Sequence, residues 1–263
     1  RAYLAQADAA DVPLLERLRY ITIVSSNMDE FFEVRFAGAI DAMREAVEEG
    51  DGDPSRDDLR QVAAEAHALI DEKYAVFNDE VMPALQRQGI VIINHAERTA
   101  EQRAWVAKFF EREVQPLLLP VGLDPAHPFP MVANKSLNFI VQLGGQDAFG
   151  RQNSIAIVKV PRALPRVIRL PASVCAPGTQ AFVLLTSVIR AHLQALFGGR
   201  PVESFSQFRV TRDSELAVDE DDVVNLRQAL RSGLTTRHFG AAIRLEVVAS
   251  CPEPLWRLLL DQF

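Results

Sequence analysis

Cysteine is almost missing from this chain: 263 residues hold two, Cys175 and Cys251. They lie far apart and fit neither C-x-x-C nor a zinc spacing, so a disulfide framework and a thiolate metal centre have no basis. Both read as ordinary thiols of a reducing compartment. Basic residues are outnumbered, 28 Lys and Arg against 35 Asp and Glu. The resulting net charge of −7 argues against an overall grip on nucleic acid or an anionic membrane, and leaves room only for a local basic cleft. No apolar run approaches bilayer-spanning length, and the first residues lack the succession of an export signal. There is no repeat of fixed period, no low-complexity tract, no P-loop and no GxGxxG. Nothing here suggests self-sufficient ATP hydrolysis.

What is present is a 48% hydrophobic, 24% charged composition, that of a soluble globular protein long enough for two domains. The chain starts without Met in RAYLAQADAADVPLL and stops in PLWRLLLDQF, and both ends read as cut. Residues 12 to 88 are helical in pattern, interrupted at Ser25 to Asn27 and in EEGDGDPSRDD. Leu59, Val62, Ala66, Leu69 and Ile70 recur at helical spacing, Pro83 should kink or interrupt that helix, and Gly89 suits a C-terminal cap. Past the extended IVII run, Thr99 followed by Gln102 reads as a capping box opening AEQRAWVAKFFEREV. The texture then turns to strands, in SLNFIVQL, NSIAIVKV, SFSQFRVTR and AAIRLEVV. These are interleaved with helical FVLLTSVIRAHLQALF and DEDDVVNLRQALRSG. The reading is an α+β protein: a helical N-terminal domain over 1–97, then an α/β head domain over 98–263 with a largely antiparallel sheet.

The stretch SSNMDEFFEVR, residues 25 to 35, is the most informative locally. PLLERLRYITIV carries Leu14, Leu18 and Ile21 on one helical face, with Pro13 in its first turn. A second helix is expected after the serines. Ser26 at its N-cap would place Asp29 at N3, and Asn27 at its N-cap would place Glu30 there. With Ser26 as the cap, the Asn27 amide stands at the helix mouth beside N–H groups that favour anions. With Asn27 as the cap, it is structural. At about 100° per residue, Met28, Phe31, Phe32, Phe36, Ala39 and Met43 share a face and Arg35 falls in its middle, where it must snorkel, pair or enter a cleft.

Two further patterns carry a structural reading. In FRVTRD and AIRLEV, alternation places Phe208 and Val210, and Ile243, Leu245 and Val247, on one face, while Arg209, Thr211, Arg244 and Glu246 share the other, where cross-strand charge pairing accounts for them. HPFP, residues 127 to 130, reads as a rigid turn. The acidic run DSELAVDEDDVV lacks the glycine and ligand order of an EF-hand, and acidic residues are expected at a helix start.

PLLERLRYITIVSSNMDEFFEVRFAGA resembles the N-terminal segment of the long, histidine-phosphorylating polyphosphate kinases. DPAHPFPMVANKSLNF, FVLLTSVIRAHLQALFGG, FRVTRDSELAVDEDD and RHFGAAIRLEV follow in that family's order, covering nearly the whole chain. The resemblance implies a helical N-terminal domain, truncated at its start, and a head domain, truncated at its end, without the two C-terminal catalytic domains. It implies a full-length enzyme that moves the ATP γ-phosphate reversibly through a histidine to polyphosphate, with Mg2+ assisting from ligands outside this chain. The phosphohistidine is expected downstream of Phe263, since His67, His95, His127, His192 and His238 do not match its place; this fragment alone should be inactive and holds no catalytic or metal-binding residue. The resemblance carries over one residue, Asn27, as an ATP contact, which favours Ser26 as the cap; Arg35 is an accessory candidate. Met28 replaces the commoner leucine with little change of volume. Expected partners are ATP, ADP and polyphosphate, with a homo-oligomer through the head domain and no nucleic acid, in a cytoplasmic and optionally membrane-associated setting. The competing class is a non-catalytic binding or assembly module of the same fold.

Overall fold

The computed structural model describes residues 1–48, 56–124, 128–146, 155–214 and 240–263. They divide into two units: Arg1–Arg87 with the described part of Thr211–Arg244, and Gln88–Val210 with Leu245–Phe263.

In the first unit, helix α1 (Ala2–Asp8) packs on α2 (Leu14–Glu30). Leu4, Ala7, Ile21 and Val24 are buried, and Tyr3 stacks on Tyr20 with ring centroids 6.1 Å apart. Pro13 stands at the N-cap of α2, where its missing N–H costs nothing. Arg17 is buried on this helix. It donates through Nε to the Ala7 carbonyl at 2.6 Å and pairs through Nη2 with Glu80, so the last turn of α1 is capped by a side chain ten residues on. That pairing holds the Glu80 carboxyl below its usual range.

The chain does not leave the helix after Val24. It runs from α2 into a π-helical turn at Phe31–Phe36 and on into α3 (Ala37–Glu48). The expected break at Ser25 to Asn27 is therefore overturned. The same device recurs after α4 (Arg56–Ala75), where a π-turn at Val76–Val81 leads into α5 (Met82–Arg87). Pro83 lies just past that turn, so the interruption expected of it falls within a continuing helix. Gly89 has φ of 77°, and a Cβ there would stand 2.8 Å from the Gly178 carbonyl oxygen, so glycine is required for the turn and for the approach of the backbone.

In the second unit, β1 (Ile90–Ile92) is the edge of a three-stranded sheet of order β1-β6-β5, with β5 at Val167–Arg169 and β6 at Gln180–Leu184. β1 and β6 are parallel, and β5 and β6 antiparallel. Thr99 accepts the Gln102 N–H at 3.3 Å and the Gln102 side chain accepts the Thr99 N–H at 3.0 Å, so the expected capping box opens α6 (Ala100–Phe109).

A five-stranded sheet follows in the order β2-β4-β3-β7-β8, with β2 at Pro120–Gly122, β3 at Leu137–Leu143, β4 at Ile155–Lys159, β7 at Val202–Arg212 and β8 at Ala242–Val247. The β2-β4, β4-β3 and β3-β7 pairs are antiparallel, in agreement with the sheet expected from sequence. Phe139, Val141, Ala156 and Val158 form one face, buried in a common core with Val106, Phe110 and Val114. Ile140, Ile157 and Phe208 point the other way, where the Phe263 ring, closing helix α8 (Glu253–Gln262), lies 6.2 Å from that of Phe208. With both faces covered, β3 reads as a nearly unbroken apolar run.

Arg209 lies 3.4 Å from Glu246 across β7 and β8, the charge pairing expected from their alternation. Phe182, Val183 and Leu184, expected to be helical, belong to β6, and helix α7 begins only at Leu185 and ends at Ala191. The main-chain bonds from β1 and β5 outweigh their local pattern. His127, His238, most of DSELAVDEDDVV and the helix expected in DEDDVVNLRQALRSG lie outside the described residues. Among the described residues no helix is long and apolar enough to cross a membrane.

Candidate functional site

The three residues Ser25, Ser26 and Asn27 occupy the last turns of α2, each in a different environment. Ser25 is half-buried and donates its hydroxyl to the Ile21 carbonyl one turn back, at 3.1 Å. Lys73, buried on α4, donates to the same hydroxyl at 3.2 Å, across 48 residues of chain, and lies 3.9 Å from the Tyr74 ring centroid. A hydroxyl that both closes onto its own helix and accepts from a buried ammonium belongs to a helix interior, not to a cap. Ser26 is exposed, and neither it nor Asn27 caps a helix. Both registers expected from the sequence are thus corrected, because burial of Ile21, Val24 and Phe32 along one side keeps the backbone helical through all three residues.

Asn27 is exposed on that continuous helix. Its carbonyl and that of Met28 share the Phe31 N–H, an α-type and a tighter i to i−3 bond at the residue where the π-turn begins. Among the described residues nothing hydrogen-bonds its side-chain amide. Asparagine is a weak residue inside a helix, because its amide competes for backbone partners; here that amide stays unused, with its donors and its acceptor open to water. Met28 lies on the other side, packing with Phe31 and Phe36 against a buried cluster of Phe32, Ala66 and Ile70. The Phe31, Phe32 and Phe36 rings form a triad with centroids 5.2 to 6.0 Å apart.

Arg35 is not in the middle of a buried face. It is exposed and makes no ion pair among the described residues, and Ala39, expected beside it, is exposed as well. The expectation assumed an unbroken α period. The π-turn bonds i to i+5 and shifts every later side chain around the axis, which carries Arg35 into solvent while Phe32 stays at 3% exposure. Asn27 and Arg35 both remain available on the outside of the helix, about 12 Å apart along its axis.

Sequence reasoning missed a second group. His95, Arg98, Arg103, Arg190 and His192 gather in the α/β unit. No spacing rule flags them, because they come from three elements. Among the described residues no three His, Cys, Asp or Glu side chains form a cation centre.

Residues 1–93 match the polyphosphate kinase N-terminal domain, and residues 101–263 the polyphosphate kinase middle domain. The chain is 46% identical over 262 residues to a polyphosphate kinase of Pseudomonas syringae pv. tomato, covering 99% of this chain and 36% of that protein. It is also 46% identical over 265 residues to one of Neisseria gonorrhoeae, covering 100% of this chain and 38% of that protein. The crystal structure of polyphosphate kinase from Porphyromonas gingivalis superposes with a TM-score of 0.74 at 23% identity, over 99% of this chain and 35% of the other, a likeness of fold. The chain therefore spans a little over a third of the relatives it matches. With two consecutive family domains matched along almost its entire length, the chain belongs to the polyphosphate kinase family.

Proposed function

We propose that this chain is the N-terminal and head region of an enzyme that passes the γ-phosphate of ATP reversibly to polyphosphate through a phosphohistidine carried beyond Phe263. The N-terminal unit supplies a wall of the ATP site, with Asn27 as its nucleotide contact, and the head unit supplies an oligomer contact. The whole-chain family match supports the enzyme class. The observation that carries the site is the Asn27 amide, exposed and unbonded on a packed helix at the entry to a π-turn. An amide on a packed helix presents a donor and an acceptor together from a backbone that is already ordered, which suits recognition of a nucleotide's polar edges. Arg35 adds a positive charge further along the same helix. No step assigned to this chain passes through a metal; magnesium is held by other parts of the full protein.

The test is steady-state kinetics of the complete enzyme carrying Asn27→Ala. Loss of a nucleotide hydrogen bond of about 1–3 kcal/mol raises the KM for ATP about 5- to 150-fold, with little change for polyphosphate. Unchanged ATP kinetics would remove Asn27 from the site, and a reading frame ending at Phe263 would favour the non-catalytic module.

A further inference from the structure

The basic group in the α/β unit is built from three neighbouring elements. His95 opens a short 3-10 turn (His95–Glu97) that packs against α7. Arg98 follows that turn, is only 3% exposed, and donates through Nη2 to the Ser187 hydroxyl of α7 at 2.7 Å; its Nε has no acceptor. Arg103, in α6, donates to the Arg98 carbonyl at 2.5 Å, which draws its guanidinium toward Arg98. Arg190 lies in the last turn of α7, 5.5 Å from the Phe205 ring centroid. His192 stacks on Phe110 at 4.4 Å, with Nδ1 2.9 Å from the Val188 carbonyl. That contact orients the imidazole as an Nδ1–H donor and leaves Nε2 for another partner.

Three of these side chains, His95, Arg103 and Arg190, are exposed. Among the described residues none of the five forms an ion pair with a carboxylate. His95 accordingly holds its proton less tightly than an ordinary histidine, first through burial and then through Arg98, Arg190, His192 and Arg103. Glu101 offsets Arg103 in part, but His95 feels Arg98, Arg190, His192 and Arg103 together, and such a concentration of cations is self-repelling unless a further anion offsets it. The contacts between Arg98 and Ser187, and between Arg103 and the Arg98 carbonyl, hold two guanidinium groups in place before any anion arrives.

We propose that His95, Arg98, Arg103, Arg190 and His192 form an oxyanion site that takes a condensed phosphate, with His95, Arg103 and Arg190 as its exposed contacts and Arg98 as the buried charge among them. Cations on three elements suit an anion with several charged phosphoryl groups in a row better than a single orthophosphate, which engages fewer of them. The choice of condensed phosphate rests on the polyphosphate reading above; the site itself rests on these side chains.

Sodium tripolyphosphate titrated calorimetrically into the intact 263-residue chain, at fixed ionic strength, tests this, with orthophosphate run in parallel. Tripolyphosphate should bind, and the His95 and His192 ring resonances should shift. The double variant Arg103→Gln/Arg190→Gln should weaken binding by about tenfold or more. Arg19→Gln/Arg60→Gln, which removes the same charge from exposed positions of the helical unit, should leave it within about twofold. If the first pair fails to fold, Arg190→Gln alone should still weaken binding and diminish the His95 shift. No binding, equal weakening by both pairs, or orthophosphate binding as tightly as tripolyphosphate would each overturn the proposal. The role of Asn27 is read separately, as the KM for ATP in the complete enzyme.

Discussion

The Ser214 backbone N–H donates to the Glu33 carbonyl at 3.1 Å, joining two residues 181 positions apart. Glu33 lies inside the π-turn, where the usual i to i+4 ladder is broken and a carbonyl is freed from its helical partner. The Ser214 amide meets that acceptor from outside the helix, and its hydroxyl approaches the same oxygen at 3.4 Å. Arg244 adds to the anchoring, its guanidinium 4.7 Å from the Phe32 ring centroid one position away.

Replacing Ser214 by proline removes the amide donor while keeping a residue in place. Ser214→Pro should lower stability by about 1–3 kcal/mol in urea unfolding, the cost of stranding a partly buried acceptor. Ser214→Ala keeps the backbone donor and should cost less than Ser214→Pro. Equal stability of the proline variant would mean that water serves the Glu33 carbonyl as well as Ser214 does.

Gly240 is held tightly against Asp213, the residue before Ser214. Arg212 donates to its carbonyl at 2.9 Å, and a Cβ on Gly240 would stand 2.2 Å from the Asp213 carbonyl oxygen. Because the obstacle is backbone, it cannot swing aside as a side chain would. Gly240→Ala is expected to cost about 1–3 kcal/mol, read as a lower denaturation midpoint at an unchanged slope.

Arg35→Met now separates two outcomes cleanly. With the guanidinium exposed and unpaired among the described residues, the variant should unfold within about 0.5 kcal/mol of wild type. In the complete enzyme it should nevertheless raise the KM for ATP if Arg35 shares the nucleotide wall with Asn27. A large loss of stability would contradict the exposed placement.

The basic cluster makes a pH prediction. His95 should titrate below the ordinary value of about 6.5, followed through its ring resonances. A depressed folded pKa means that the unfolded chain binds the proton first. The contribution of His95 is therefore fully present above about pH 6.5 and is lost as pH falls from there through the lower folded value. Arg190→Gln should return the His95 titration part of the way upward, since Arg190 is one of the charges that depress it. An unmoved titration would show that Arg190 lies too far from His95 to matter.

Several features followed from sequence because the forces that make them reach only a few residues. The Thr99 and Gln102 capping box is closed within a single turn. Alternation along β7 buries Phe208 and Val210 and sets Arg209 against Glu246, and the backbone turn at Gly89 needs a residue without a Cβ. The run of family motifs was likewise legible, and both family domains match along it. The cap reasoning attached to Ser26 and Asn27 was not legible. A serine before an apolar run signals an N-cap only if the chain actually enters the helix there. At Ser25 that was decided by Lys73, 48 residues away, and by a shared buried face that kept the helix unbroken. The π-turn that turned Arg35 outward offers a carbonyl that Ser214 meets, and the basic cluster includes Arg98 reaching Ser187. These are contacts between side chains or carbonyls distant in sequence, set by packing and by the need to satisfy buried polar groups, and no local pattern encodes them.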